Sequence, residues 1–167
     1  ITINLTINPV DDPAVIIGDL NKSSNIGEII QGDINVTDVD GLSDGSYFSI
    51  SVTPANGTAY IDAEDGNWSY TPDMNSLGNV YFIVKITDDL NQSYFQTVSL
   101  NISYIPITNQ NFNSAIDLWF TDQQEVNSTY GHISDWNTSA VTQMVKAFEN
   151  RTNFNEDISG WDVSNVT

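Results

Sequence analysis

Over the first hundred residues apolar and polar positions alternate in short runs, broken by turn-forming clusters, and no helical period is present. The runs that read as strands are 14–18, 28–37, 47–53, 57–62, 67–71, 80–87 and 94–102. Short antiparallel segments at this spacing predict a β-sandwich. The turns have their own chemistry. Asp40-Gly41, Asn56-Gly57 and Asp65-Gly66 supply the positive φ of tight hairpins, and Pro54 and Pro72 end strands. Trp68, Tyr70, Phe82 and Val84 fall at period-two positions on one side and are the predicted core.

After Tyr104-Ile105-Pro106 the pattern changes. Residues 113–126 place Ala115, Ile116, Trp119 and Phe120 on one stripe, which predicts an amphipathic helix of about three turns. A repeat follows. The segment 132–142, His-Ile-Ser-Asp-Trp-Asn-Thr-Ser-Ala-Val-Thr, aligns with 157–167, Asp-Ile-Ser-Gly-Trp-Asp-Val-Ser-Asn-Val-Thr, at a period of 25. That is the length of a leucine-rich-repeat coil, and the sequence stops inside the second copy. A second self-similarity links residues 2–7 to 97–102, offset by 95. Residues 1–7 therefore read as the last strand of a preceding sandwich, or as a donor strand that completes a neighbouring subunit.

Composition narrows the function. The chain has 167 residues, with 4 Lys+Arg against 22 Asp+Glu, a formal charge of -18. Such a surface repels nucleic-acid phosphates and anionic lipids and attracts cations. Nothing in the sequence is long and apolar enough to cross a membrane, and no basic and apolar leader opens it. With no Cys, disulfides and thiolate metal sites are excluded. Hydrophobic residues make up 40%, enough for a core, while charged residues reach only 16% because Asn, Ser and Thr stand where Lys and Arg would.

Asn-x-Ser/Thr occurs eleven times, at Asn4, Asn21, Asn35, Asn56, Asn67, Asn91, Asn101, Asn127, Asn137, Asn150 and Asn165. Chance pairing at this composition gives roughly four. One reading is a glycosylated extracellular surface. The other is that Asn and Thr meet because both suit turns and strand ends.

The acids gather as Asp11-Asp12, Asp38-x-Asp40 and Asp88-Asp89. In a sandwich, the linker before the first strand and the loops after the second and sixth can meet at one pole, where Ca²⁺ would find its six to eight oxygen ligands. Asp and Asn also populate turns for purely local reasons. Catalytic motifs are lacking: His132 is the only His, its repeat counterpart is Asp157, and it reads as a coil surface residue. Trp136 and Trp161 recur at the repeat period and read as stacked core, with a sugar-binding aromatic ladder as the alternative.

Two resemblances follow from these residues. Val10-Asp11-Asp12-Pro13, Val36-Thr37-Asp38-Val39-Asp40-Gly41-Leu42, Pro54-Ala55-Asn56-Gly57-Thr58-Ala59, Gly66-Asn67-Trp68-Ser69-Tyr70-Thr71-Pro72 and Val84-Lys85-Ile86-Thr87-Asp88-Asp89 resemble the cadherin-like and VCBS-type repeats of bacterial and archaeal surface proteins. That resemblance implies stalk or adhesin domains whose junctions calcium often stiffens. The segment 20–28 departs from it, being short and lacking the usual Glu-Asp, and Ile105-Pro106-Ile107 replaces the acidic pair at the far end. Ile133, Trp136, Val141, Thr142, Met144, Phe148, Phe154 and Asn155, restarting at Ile158 and Trp161, resemble the BspA-like leucine-rich-repeat family, with 113–126 as its N-terminal cap. Family members are surface proteins tied to adhesion.

The expectation is thus a mainly β chain. Residues 1–7 are a strand of a preceding repeat, 8–104 an Ig/cadherin-like antiparallel sandwich, and 105–167 a cap and the first coils of a leucine-rich-repeat solenoid. It is a non-enzymatic, extracellular part of a cell-surface or filament protein that meets copies or neighbouring domains of that protein and an unidentified protein or glycan receptor. The rival readings are a carbohydrate-binding accessory module of a secreted hydrolase and a filament subunit using 1–7 as donor strand.

Overall fold

The computed structural model describes residues 10, 12–39, 41, 42, 47–74 and 76–167. Residues 1–7, and with them the preceding-repeat and donor-strand readings, lie outside the described residues. The chain divides into two compact units, Ile1–Ile102 and Ser103–Thr167.

The first unit is a sandwich of two four-stranded antiparallel sheets. One sheet orders β1 (Val15–Gly18), β3 (Ile30–Thr37), β6 (Asn67–Pro72) and β5 (Gly57–Ile61). The other orders β2 (Asn21–Asn25), β8 (Ser93–Ser103), β7 (Gly78–Thr87) and β4 (Phe48–Val52). Eight strands are present among the described residues where the alternation predicts seven. The added one is β2, Asn-Lys-Ser-Ser-Asn, which carries no apolar alternation because it is an edge strand beside β8. A short polar edge bearing a lysine discourages pairing with other chains. It is held by the Ser99 amide donating to Leu20 O at 2.8 Å and by Lys22 pairing with Asp19 at 2.8 Å.

The predicted core residues Trp68, Tyr70, Phe82 and Val84 are all buried, joined by Ile34, Ile86, Val98, Leu100 and Ile102. Trp68 meets Phe82 edge-on at 5.5 Å, and a Cβ on Gly32 would stand 2.4 Å from the Trp68 ring. Glycine there is a packing requirement. At Asn56-Gly57 the roles differ from the sequence expectation: Asn56 carries the positive φ, 58°, whereas Gly57 is needed because a Cβ would come 2.5 Å from the Tyr70 hydroxyl. The Asn56 carbonyl accepts from Tyr70 Oη (2.7 Å), Ser76 Oγ (2.6 Å) and the Asp73 amide (3.0 Å), so one turn oxygen anchors the segment 70–76. Burial, and after it the nearby Asp73 charge, raises the pKa of Tyr70 and keeps it a donor.

In the second unit α1 (Phe112–Thr121) and α2 (Gln123–Tyr130) replace the single predicted helix. Asp122 causes the break. Its amide closes α1 onto Leu118 O at 2.7 Å, and its carboxylate caps α2 by accepting from the Glu125 amide at 3.0 Å. The buried stripe Phe112, Ala115, Ile116 and Trp119 packs on Val126, Ile133, Trp136 and Val141. Beyond Ser103 the chain forms no β-strand, so the unit is a stack of turns capped by helices, and leucine-rich-repeat character is not shown by its secondary structure.

Tyr70→Phe removes one of three donors on Asn56 O while keeping the ring. It should lower the urea midpoint by an amount corresponding to about 1 kcal/mol with an unchanged slope.

Candidate functional site

Contacts among the described residues bring the segments that carry Asp12, Asp38 and Asp89 to one end of the sandwich. Val15 pairs with Thr37, which brings the chain next to Asp12 alongside Asp38. Tyr94 Oη reaches Asp12 O at 3.4 Å, and a Cβ on Gly41 would lie 2.9 Å from Asp89 Oδ2. Asp11 and Asp40 lie outside the described residues, and among the described residues no group of three or more His, Cys, Asp or Glu side chains converges as a ligand set.

Within this pole Asp88 stands apart. It is 2% exposed. Its Oδ1 accepts from the Leu90 and Gln92 amides at 2.9 and 2.8 Å, closing the β7–β8 hairpin, while Oδ2 is buried with no hydrogen-bond partner among the described residues. An orphaned carboxylate oxygen inside a protein is costly and marks a place where an ion or water is expected. Oxygen-only donors also suit a hard cation. The signal was present in the sequence: Val80, Phe82, Val84 and Ile86 point inward, and Asp88 is the next position of the same period.

The second arrangement of interest is the pair of coils. Trp136 and Trp161 stack at 6.0 Å with 10° between ring planes, and both are buried. Both rings belong to the buried cluster of the coil pair, as the repeat period predicts. Bonds at the repeat spacing tie coil to coil. Trp161 Nε1 donates to Ile133 O (2.8 Å), Asn165 Nδ2 to Ser139 O (2.9 Å), the Thr167 amide to Thr142 O (3.0 Å), and Thr138 Oγ1 to Asp162 O (3.0 Å).

Each coil also makes the same two side-chain turns. His132 Nδ1 and Asp157 Oδ1 accept from the amides of Ser134 and Ser159, at 3.3 and 2.9 Å. Asn137 and Asp162 do so for Ser139 and Ser164, at 3.1 and 2.9 Å. His132 thus replaces an aspartate as a turn acceptor, which explains its place without chemistry. It lies 3.9 Å from Glu156 and edge-on to Trp119 at 4.9 Å. Arg151 joins the coils to the cap, pairing with Asp117 at 2.9 Å and lying 4.4 Å over the Phe120 ring.

Of the sequon asparagines, Asn4 lies outside the described residues. Asn127 is half-buried in α2, and Asn21, Asn35, Asn56, Asn67, Asn91, Asn101, Asn137, Asn150 and Asn165 are exposed. Asn56, Asn91 and Asn150 hold positive φ of 58°, 64° and 62°, a conformation Asn tolerates. Together with the turn made by Asn137, these positions give part of the Asn excess a conformational cause.

The first unit is by its sheets an Ig-like β-sandwich. The bacterial Ig domain model matches residues 10–101, more than half of the sequence, and the chain belongs to that family. Residues 90–167 match a second family, described as Mycoplasma protein of unknown function, DUF285. Among solved structures, the chain is similar to S-layer protein SbsC domains 4 and 5 (16% identity, TM-score 0.39, 57% of this chain and 47% of that one). It is also similar to the SrpA adhesin of Streptococcus sanguinis (13%, 0.39, 59% and 65%). A nucleoside hydrolase-related protein of Saccharophagus degradans aligns at 12% and 0.42, over 56% and 26%. The chain spans less than two thirds of each of these. No curated protein matches it in sequence.

Hydrogen bonds from Ser159 to Asp157, and from the Ser164 side chain and amide to Asp162, hold both carboxyls below the usual range. A depressed folded pKa gives stability that is present above the unfolded value, near 4, and lost as pH falls through the folded one. Melting of the second unit should therefore drop on acidification from pH 5 to 2. Asp157→Asn/Asp162→Asn should flatten that drop, because Asn accepts the same amides, as Asn137 does, without titrating.

Proposed function

We propose that the chain is a non-enzymatic, extracellular structural and adhesive segment of a cell-surface or filament protein, with the sandwich as spacer and the coils as contact surface. What carries this reading is membership of the bacterial Ig domain family in a chain whose remaining part is a stacked repeat. The coils are read as the start of a leucine-rich-repeat-type solenoid of the BspA-like kind, supported by the 25-residue register of stacking and bonding. A solenoid gives a continuous surface for contact with neighbouring domains of the same protein or with a receptor. Exposed sequons on the outward positions of strands, Asn21, Asn35, Asn67 and Asn101 among them, support glycosylation of the sandwich surface.

Calcium belongs to this proposal. The buried Oδ2 of Asp88 would supply one ligand, and the loops that carry Asp11, Asp12, Asp38, Asp40 and Asp89 would have to close on it to furnish the others. Binding to the folded form alone raises stability by mass action. Millimolar Ca²⁺ should raise the sandwich melting temperature and a chelator should reverse it. Asp88→Asn, which keeps the Oδ1 bonds to Leu90 and Gln92, should remove at least half of that shift, and a wild-type melt indifferent to Ca²⁺ sinks the site.

For the division between spacer and lectin, the full chain on a glycan array is expected to give no specific signal. Saturable binding to a defined glycan would instead make it a carbohydrate-binding module.

A further inference from the structure

Acids are spread unevenly over this chain. None of the residues of β2, β4, β7 or β8 is Asp or Glu, so one whole sheet of the sandwich meets water without a carboxylate. The other sheet turns Asp33 outward, and the coils expose Asp135, Glu149, Asp157 and Asp162. The parity that buries Val80, Phe82, Val84 and Ile86 turns Tyr81, Ile83 and Lys85 outward. Phe95 and Thr97 of β8 stand beside Lys85 and Ile83, and Val52 of β4 flanks Ile83 on its other side.

Tyr81, Phe95 and Val52 are 58%, 62% and 40% exposed, so this stripe is a continuous apolar patch and not a scatter of single residues. Its one charge is a cation. Lys22, Lys146 and Arg151 each pair with an acid, whereas Lys85, half-buried on the stripe, makes no ion pair among the described residues.

We propose that two copies of the chain pair through this face, sheet against sheet, with their strands antiparallel about a two-fold axis at the level of Ile83 and Thr97. Sheets stacked nearly in line, about 10 Å apart, interdigitate their facing side chains. Positions equally far from Ile83 then oppose one another, and Lys85 lies over the ring of Tyr81 of the partner subunit as a cation on an aromatic face. Charge selects the occupant. A cationic partner finds no carboxylate here, and an acidic partner finds a single lysine. A second copy, although it carries the same -18, meets this face without setting acid against acid. β7 already pairs with β4 and β8, so covering it orphans no ladder bond. The face spans roughly 500 Å² per copy at about 3.3 Å per residue and 4.8 Å between strands, the low end for specific interfaces. Pairing is therefore weak and suits copies held close together on a surface. Asn101 lies one pair beyond Tyr81 and Ser99 on the same face, so a sugar there and pairing exclude each other. The proposal adds a lateral contact to the sandwich read as a spacer and does not depend on the coils.

Sedimentation equilibrium of the full chain made without sugars tests it. Association should be measurable at about 100 µM, lost near about 1 µM, and roughly threefold tighter in about 0.5 M than in about 0.05 M salt, which screens the like net charges. Thr97→Asp sets two carboxylates together at the axis and should weaken pairing by roughly tenfold or more, whereas Thr97→Asn should stay within about threefold of wild type. The chain has no Cys, so Thr97→Cys gives a second measurement that does not require the Asp variant to fold. A bismaleimide of about 10 Å should join two copies through that position. It should not do so through Tyr60→Cys on the other sheet, a position that is 60% exposed. A chain that stays monomeric at about 200 µM in high salt, a Thr97→Asp variant that pairs like wild type, or equal cross-linking at both positions overturns the proposal. Each of those results leaves the spacer reading standing, which the glycan array tests separately.

Discussion

A buried carbonyl or amide needs a partner, and the two units of this chain meet that constraint by different means. In the sandwich the ladders between strands do most of it, as in the ten-pair register from Gly78 and Ile102 to Thr87 and Ser93. Beyond Ser103 there are no strands, and backbone bonds within helices and turns are joined by side-chain bonds. Indole N–H groups, an Asn amide, a Thr hydroxyl and four Asx- or His-type turns add to the pairing. The apolar stack of Phe112, Trp136 and Trp161 can exist only because those polar groups close the backbone around it.

This also accounts for the composition. Short polar side chains compete with the backbone for its own hydrogen bonds, which disfavours long helices and suits coils built of turns. Asp62, Asp65, Asp88, Asp122, Asp157 and Asp162 each accept amide protons from two to four residues ahead. Much of the negative charge thus serves as local caps, and the acids need no balancing lysines to be useful. Lys22, Lys146 and Arg151 do pair with acids, but exposed ion pairs add little. Arg151 contributes further because its guanidinium covers Phe120.

Legibility in the sequence followed burial. Trp68, Tyr70, Phe82 and Val84 were readable because a strand with one buried face writes its burial as a period of two. Strand β2 was not, since an edge strand of Asn, Lys and Ser has no such face to write. The helical stripe through Trp119 was visible, yet the stop at Asp122 was not, because Asp ends one helix and begins the next by the same competition for backbone donors. The repeat was the clearest feature, and its substitutions were informative in retrospect: His132 for Asp157 and Asn137 for Asp162 keep an acceptor at the turn, which is all the position demands.

The acidic pole shows how far such reading extends. Doublets such as Asp88-Asp89 look symmetrical in one dimension, and the count of acids alone favours neither member. Sheet parity separates them. The residue following Ile86 by two turns inward and loses its water, and its neighbour stays half-exposed. One carboxylate oxygen of Asp88 closes the hairpin through two amides, and the other is left facing the interior. Desolvating that oxygen without a partner opposes folding unless something positive or proton-bearing meets it. The fold itself, and not the total charge of -18, is therefore what sets Asp88 apart from the other acids.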